Sequence, residues 1–170
     1  MSLSRARSLR AAILVMTSLT LSACLKPMYG GLEGAALQND LQAIAIDPIP
    51  ERAGHYLANE LRFLLNGTGS EVTPKYRLQI VLRERIQASL VDSVTQRATA
   101  GAIVMDADYK LIPVNGGAPV ASGVAFTFAS YDRSSQRFAN IRAARDAEIR
   151  DAKVLAEQIK TRIAMALTKG

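Results

Sequence analysis

The sequence predicts an α+β fold: a two-layer sandwich in which a four-stranded sheet carries two helices packed on one face, in the order β-α-β-β-β-α. Three observations lead there. Apolar residues alternate with polar ones through three successive segments between residues 75 and 128. Two stretches of helical period flank them, around residues 52–65 and 145–167. Turn-forming residues separate the alternating runs, so the strands form a meander. One apolar sheet face and two apolar helix stripes bury one another.

The chain opens with Arg5, Arg7 and Arg10, no acidic residue among them, followed by an apolar run from Ala11 to Leu21. Such a run has the length of a signal-peptide core and falls short of the roughly twenty residues a spanning helix needs. It ends in Leu21-Ser22-Ala23-Cys24, the order of branched apolar residue, small residues and cysteine that a lipoprotein signal peptidase reads. The expectation is a lipoprotein signal peptide over residues 1–23, with Cys24 as the attachment point for a diacylglycerol and an N-acyl chain. An ordinary secretory signal with a chance cysteine is the alternative. The cysteine count favours lipid: an exported chain with one cysteine has no internal disulfide to make. Removing the three leader arginines leaves 18 basic against 15 acidic residues, so the formal charge falls from +6 to +3. The basic balance is partly a targeting feature and gives no reason for a nucleic-acid partner.

Residues 24–39, with Pro27, Gly30, Gly31 and Gly34, read as a lipidated tether, and 40–170 as a single α/β domain. Leu41–Asp47 suits a short strand stopped by Pro48 and Pro50. Ala53, Leu57, Leu61 and Leu64 make the stripe of a first helix, which Asn66-Gly67 terminates. In the meander, Tyr76, Leu78, Ile80, Leu82 and Ile86 share one face, and Arg77, Gln79, Arg83 and Arg85 the other. Ile103, Met105, Ala107, Tyr109 and Leu111 follow, and then Val120, Val124, Phe126 and Phe128. Turns centred on Asp92-Ser93 and Asn115-Gly116 set Leu82 opposite Ile103, Ile80 opposite Met105 and Arg77 opposite Asp108. They also set Met105 opposite Phe126 and Ile103 opposite Phe128, which puts both phenylalanines in the core. The last helix is expected over Arg145–Leu167, its stripe running from Ile149 through Leu155, Ile159 and Ile163, with Ser135 or Asn140 as a possible cap.

Catalytic chemistry finds little support. His55 is the only histidine, and no set of Asp, Glu, His and Cys has metal-ligand spacing, so neither a metal nor a cofactor is expected. Asp106 and Asp108 share a strand face, where pairing with cations of the neighbouring strand accounts for them. Gly30-Gly31 and Gly116-Gly117 lack the lysine and strand-to-helix setting of a phosphate loop. The basic sheet face can meet an anionic ligand, because guanidinium groups pair well with phosphates.

Several segments resemble a known family. Leu25-Lys26-Pro27-Met28-Tyr29-Gly30 after the lipobox is similar to the Cys-Gly-Phe-(Arg)-Pro-Leu-Tyr-Gly opening of the lipopolysaccharide-assembly lipoproteins, LptE, with a departure at Leu25. Ile44 to Leu57 is similar to that family's I-x-I-x-x-I-P-(D/E)-R-x-G-x-x-L segment, Asn59-Glu60-Leu61 to its following helix, and Ala143 to Glu148 to its A-x-x-D-A-E segment. The resemblance implies a non-enzymatic protein on the periplasmic side of the outer membrane. It would sit as a 1:1 plug in the LptD barrel, support that barrel's folding and assist lipopolysaccharide assembly. Arg83, Arg85 and Arg97, toward the first meander turn, are then candidates for lipopolysaccharide binding. Two other readings remain at this stage. One is a periplasm-facing lipoprotein scaffold unrelated to lipopolysaccharide. The other is a lipid-anchored hydrolase using His55.

Overall fold

Alternation of branched and aromatic residues over Tyr76–Ile86 and Ile103–Leu111 favours extended backbone, and these segments form the two long strands at the centre of the fold. The structure, a computed structural model, describes residues 31–67, 72–91 and 98–168. In chain order the elements are α1 (Gly31–Gln42), β1 (Ile44–Ile46), α2 (Glu51–Asn66), β2 (Tyr76–Val91), β3 (Ala98–Pro113), β4 (Ala121–Asp132) and α3 (Arg137–Leu167). The sheet runs β1-β2-β3-β4, with β1 parallel to β2 and the other pairs antiparallel. It is a mixed four-stranded sheet in an α+β fold, as the patterning predicts, with one helix more.

That additional helix, α1, occupies part of the stretch expected to be a tether, and it shortens the first strand to three residues. Ala35, Ala36, Leu37 and Leu41 are good helix formers, and Leu37 and Leu41 are buried, which outweighs the flanking glycines. Pro48 and Pro50 end β1 as expected. Pro50 precedes α2 with its ring fixing φ at −65°, and Glu51 follows at φ 68°, in the left-handed region. Gly67, at φ +54°, closes α2 by donating its N–H to the Phe63 carbonyl at 2.9 Å.

The registers differ from those expected, in two different ways. In the first hairpin, Leu82 lies opposite Ala107, Ile80 opposite Tyr109 and Arg77 opposite Ile112. The shift is an even number of residues, so every side chain keeps its face; the expected turn at Asp92-Ser93 lies outside the described residues. Arg77 therefore pairs with Asp47 at 2.9 Å and not with Asp108. In the second hairpin Met105 lies opposite Thr127 and Asp106 opposite Phe126, a one-residue slip that turns β4 over. Phe126 and Phe128 are 50% and 63% exposed, while Ala125, Thr127 and Ala129 face the core.

The loop and the helix together explain that inversion. The pairing of β3 and β4 is centred on Gly116 itself and not between Asn115 and Gly116, because Gly116 and Gly117 both take positive φ. The small inward residues of β4 then let α3 lie close on that strand. Gln158 donates to the Phe126 carbonyl at 3.1 Å, Arg150 to that of Ser130 at 3.0 Å, and Arg162 to that of Val124. Three outward carbonyls of an edge strand gain partners in this way.

The core lies between the sheet and the two long helices. Leu78, Ile103, Met105 and Leu111 of the sheet, Leu57, Leu61 and Leu65 of α2 and Leu155, Ile159 and Ile163 of α3 are all fully buried. α3 begins eight residues before the expected start. Phe138 and Ile141 are helical yet exposed, so no buried stripe marks that stretch. Asn140 braces the turn before it, accepting from the Ser134 N–H at 2.8 Å and donating to the Ser134 carbonyl at 2.9 Å.

Candidate functional surface

The sheet face turned away from the helices is built from alternate residues of three strands. β2 contributes Gln79, Val81, Arg83, Arg85 and Gln87; β3 contributes Val104, Asp106, Asp108 and Lys110; β4 contributes Val124, Phe126 and Phe128. It divides into three columns: a basic column on β2, an acidic one on β3, and an apolar ridge on β4. Arg83 reaches Asp108 and Arg85 reaches Asp106, each at 2.6 Å. The structure thus puts Arg83 and Arg85 on the open face expected of them, but with each charge already matched by a neighbour. Arg97 and Cys24 lie outside the described residues.

Cations without a carboxylate neighbour occur elsewhere, at the start of α3. Arg137 and Arg142 make no ion pair among the described residues, and between them Phe138 and Ile141 are 84% and 53% exposed. Spacings of three and four residues along a helix put Phe138 beside Ile141 and Arg142, and Arg137 beside Ile141. One turn further, Arg145 donates to the Tyr56 hydroxyl at 2.7 Å, with its guanidinium over the ring at 5.9 Å. Sequence patterning missed this patch because it sought apolar residues for a core, whereas Phe138 and Ile141 are apolar and outward. Arginines flanking an apolar pair were the available signal.

A third polar group sits on the helix side of the sheet. Arg52 of α2 clasps Glu148 of α3 with two hydrogen bonds, that from Nε measuring 2.9 Å, and the Glu148 side chain is 2% exposed. The same clasp raises the Arg52 pKa. Glu84 projects from β2 into this region, and its carboxyl is held above the usual carboxylate range by burial and by the charge of Glu148. Asp151, 1% exposed, is also raised, chiefly by burial. Thr127 donates its hydroxyl to Asp151 Oδ1 at 3.0 Å, while Oδ2 has no partner. No group of three or more metal-ligating side chains is present among the described residues. His55 is exposed, with its Nε2 3.0 Å from the Asn59 amide.

No helix among the described residues is long and apolar enough to cross a membrane. No curated protein matches the sequence. The solved structure of a Caulobacter crescentus protein described as a lipoprotein is similar, with a TM-score of 0.65 and 24% identity, covering 80% of this chain and 98% of that one. A minor lipoprotein of Acinetobacter baumannii is also similar, with a TM-score of 0.57 and 16% identity, covering 72% of this chain and 90% of that one. At these identities the likeness establishes the fold alone. The lipopolysaccharide-assembly family matches residues 41–163, which take in β1, α2, the meander and most of α3. A lipopolysaccharide-assembly lipoprotein of the outer membrane follows from that match, and the chain belongs to the LptE family.

Proposed function

We propose that this lipoprotein acts as a plug for the LptD barrel, one to one, and presents lipopolysaccharide to it from the start of α3 without performing chemistry itself. Lipid on Cys24 would hold it at the periplasmic side of the outer membrane. The observation that carries the ligand half of this reading is the pairing of Arg137 and Arg142 with exposed Phe138 and Ile141. Lipopolysaccharide combines phosphates with acyl chains. Guanidinium groups bind phosphate through charge-assisted, often bidentate hydrogen bonds, and exposed apolar side chains gain from leaving water. On the open sheet face Arg83 and Arg85 have their charge already partly neutralised by Asp108 and Asp106, which makes them the weaker candidates for a phosphate. Family membership supports the barrel half, and a mixed apolar and charged sheet face suits broad contact with the polar lumen of a large barrel.

The test compares two double variants of the mature protein, Arg137→Glu/Arg142→Glu and Arg83→Glu/Arg85→Glu, for capture of labelled lipopolysaccharide and for co-purification with the barrel. The first should lose most lipopolysaccharide capture, and increasingly so as salt rises. Both should retain the barrel, since a plug is held over a wide surface. Loss confined to the second variant would move the ligand to the open face. Failure of the wild type to co-purify with the barrel would leave a lipoprotein scaffold of another kind.

A further inference from the structure

The two edges of the sheet are finished differently. On β4, Arg162, Gln158 and Arg150 of α3 occupy the outward carbonyls of Val124, Phe126 and Ser130. On β2, β1 covers only Tyr76–Leu78, and the Asp47 N–H adds one bond to the Leu78 carbonyl at 3.0 Å. Pro48 and Pro50 then lead the chain away into α2. β2 itself runs on to Val91. Because the Leu78 carbonyl faces β1, alternation along the strand turns the N–H and C=O groups of Ile80, Leu82, Glu84 and Ile86 toward the same side. Among the described residues these groups meet no partner there. An unpaired row of this length is a template for another strand.

The side chains beside that row indicate what would fit it. On the open face they are Gln79, Val81, Arg83, Arg85 and Gln87: two cations and no carboxylate. The guanidinium groups are more than half exposed, so each has room to take a further carboxylate while keeping Asp108 or Asp106. Each guanidinium has five donors. A second copy of the chain is a poor occupant. Antiparallel registers centred on Arg83, Glu84 or Arg85 set like charges directly opposite one another, which is destabilising. We propose that the β2 edge from Ile80 to Ile86 receives an extended segment of a partner protein that carries carboxylates at alternate positions. The segment lies in line with β1, its backbone completes the ladder, and its acidic side chains meet Arg83 and Arg85. This inference does not depend on lipopolysaccharide binding at α3.

The experiment uses the full mature protein in detergent and two capped octapeptides, one alternating glutamate with valine and one alternating lysine with valine. The glutamate peptide is expected to slow amide hydrogen exchange at Ile80, Leu82, Glu84 and Ile86, and the lysine peptide to leave it unchanged. Ile86→Pro removes an outward N–H and an exposed side chain, so it should weaken the glutamate peptide roughly ten-fold, the scale of one lost hydrogen bond. Should that variant fold poorly, Arg83→Glu/Arg85→Glu serves instead and should transfer the preference to the lysine peptide. Equal protection by both peptides, protection confined to β4, or no protection at all would overturn the proposal. So would protection that rises with protein concentration in the absence of peptide, which would mean that a second copy occupies the edge.

Discussion

At Gly54, α2 has no room for a methyl group. A Cβ there would stand 2.6 Å from Ile49 Cγ2 and 2.9 Å from the Ile49 carbonyl oxygen, so backbone would have to move. In an open helix, replacing glycine by alanine would gain up to about 1 kcal/mol of propensity. Here overpacking costs about 1–3 kcal/mol, so Gly54→Ala should lower the thermal midpoint. An unchanged or raised midpoint would mean that the Ile49 turn yields easily. Thr127 is the second informative residue, as the hydroxyl donor to a buried carboxylate. Thr127→Val keeps the shape and removes that bond. Asp151 keeps its backbone hydrogen bond from Ala129, so the loss is that of one hydrogen bond to a charged group, about 1.5–3 kcal/mol. The Asp151 pKa is already raised by burial, so the loss should be largest near neutral pH, where the unfolded chain carries the charge freely. It should shrink as acid protonates Asp151 in the folded state. Urea melts at two pH values check both parts. By contrast, Phe126→Ala and Phe128→Ala remove exposed rings and should shift stability by no more than about 0.5 kcal/mol.

Glu84 shows how one element carries a charge that its pattern does not suggest. It stands in the row of Leu78, Ile80 and Leu82, which face the helices, and it interrupts the apolar alternation of β2. Its folded pKa is raised by burial and by Glu148, so the folded state holds a proton more tightly than the unfolded one. Its contribution to stability is therefore fully present below the ordinary glutamate value, near 4.3. It is lost as pH rises from there through the raised folded value. Glu84→Gln removes that dependence. The variant should melt above the wild type at pH 7, and the gap should close toward pH 4. A gap that stays constant with pH would show that Glu84 is not the titrating group. Much of the element plan was legible: the strands, their order along the chain, α2 with its Gly67 stop, and most of α3 follow from apolar period and turn chemistry. The face of β4 was not. Large apolar residues were assigned to the core on the rule that they pack best there. α3 instead needs small residues beneath it and anchors itself on β4 through Arg150, Gln158 and Arg162. Two glycines with positive φ decide the parity, and a hairpin of that kind cannot be distinguished from a two-residue turn by composition.

At the scale of the whole molecule, the candidate ligand-facing residues were harder to read than the fold because exposure, not type, distinguishes them. Arg83 and Arg85 stood out by their repetition on a strand and turned out to be matched by Asp108 and Asp106. Arg137 and Arg142, spaced along a helix, gave no comparable pattern. Leu21 to Cys24 carry the expectation of a lipid anchor, and that expectation leads to a prediction about what retains the protein at the membrane. The proposed function gives the protein two attachments: acyl chains on Cys24 and contact with the barrel. A single acyl chain gives only marginal, reversible membrane binding, whereas two or more chains together anchor a protein stably. No helix among the described residues can substitute by spanning the membrane. Cys24→Ala, exported behind a cleavable secretory leader, should therefore remain with the outer membrane only where the barrel holds it. In density gradients of cells with normal barrel levels it should co-sediment partly with outer membranes, and on barrel depletion it should move to the released periplasmic fraction. The wild type should stay with the membrane in both conditions. If Cys24→Ala remained membrane-bound after barrel depletion, an attachment other than these two would be required. If it were released even with the barrel at normal levels, contact with the barrel would be too weak for a plug.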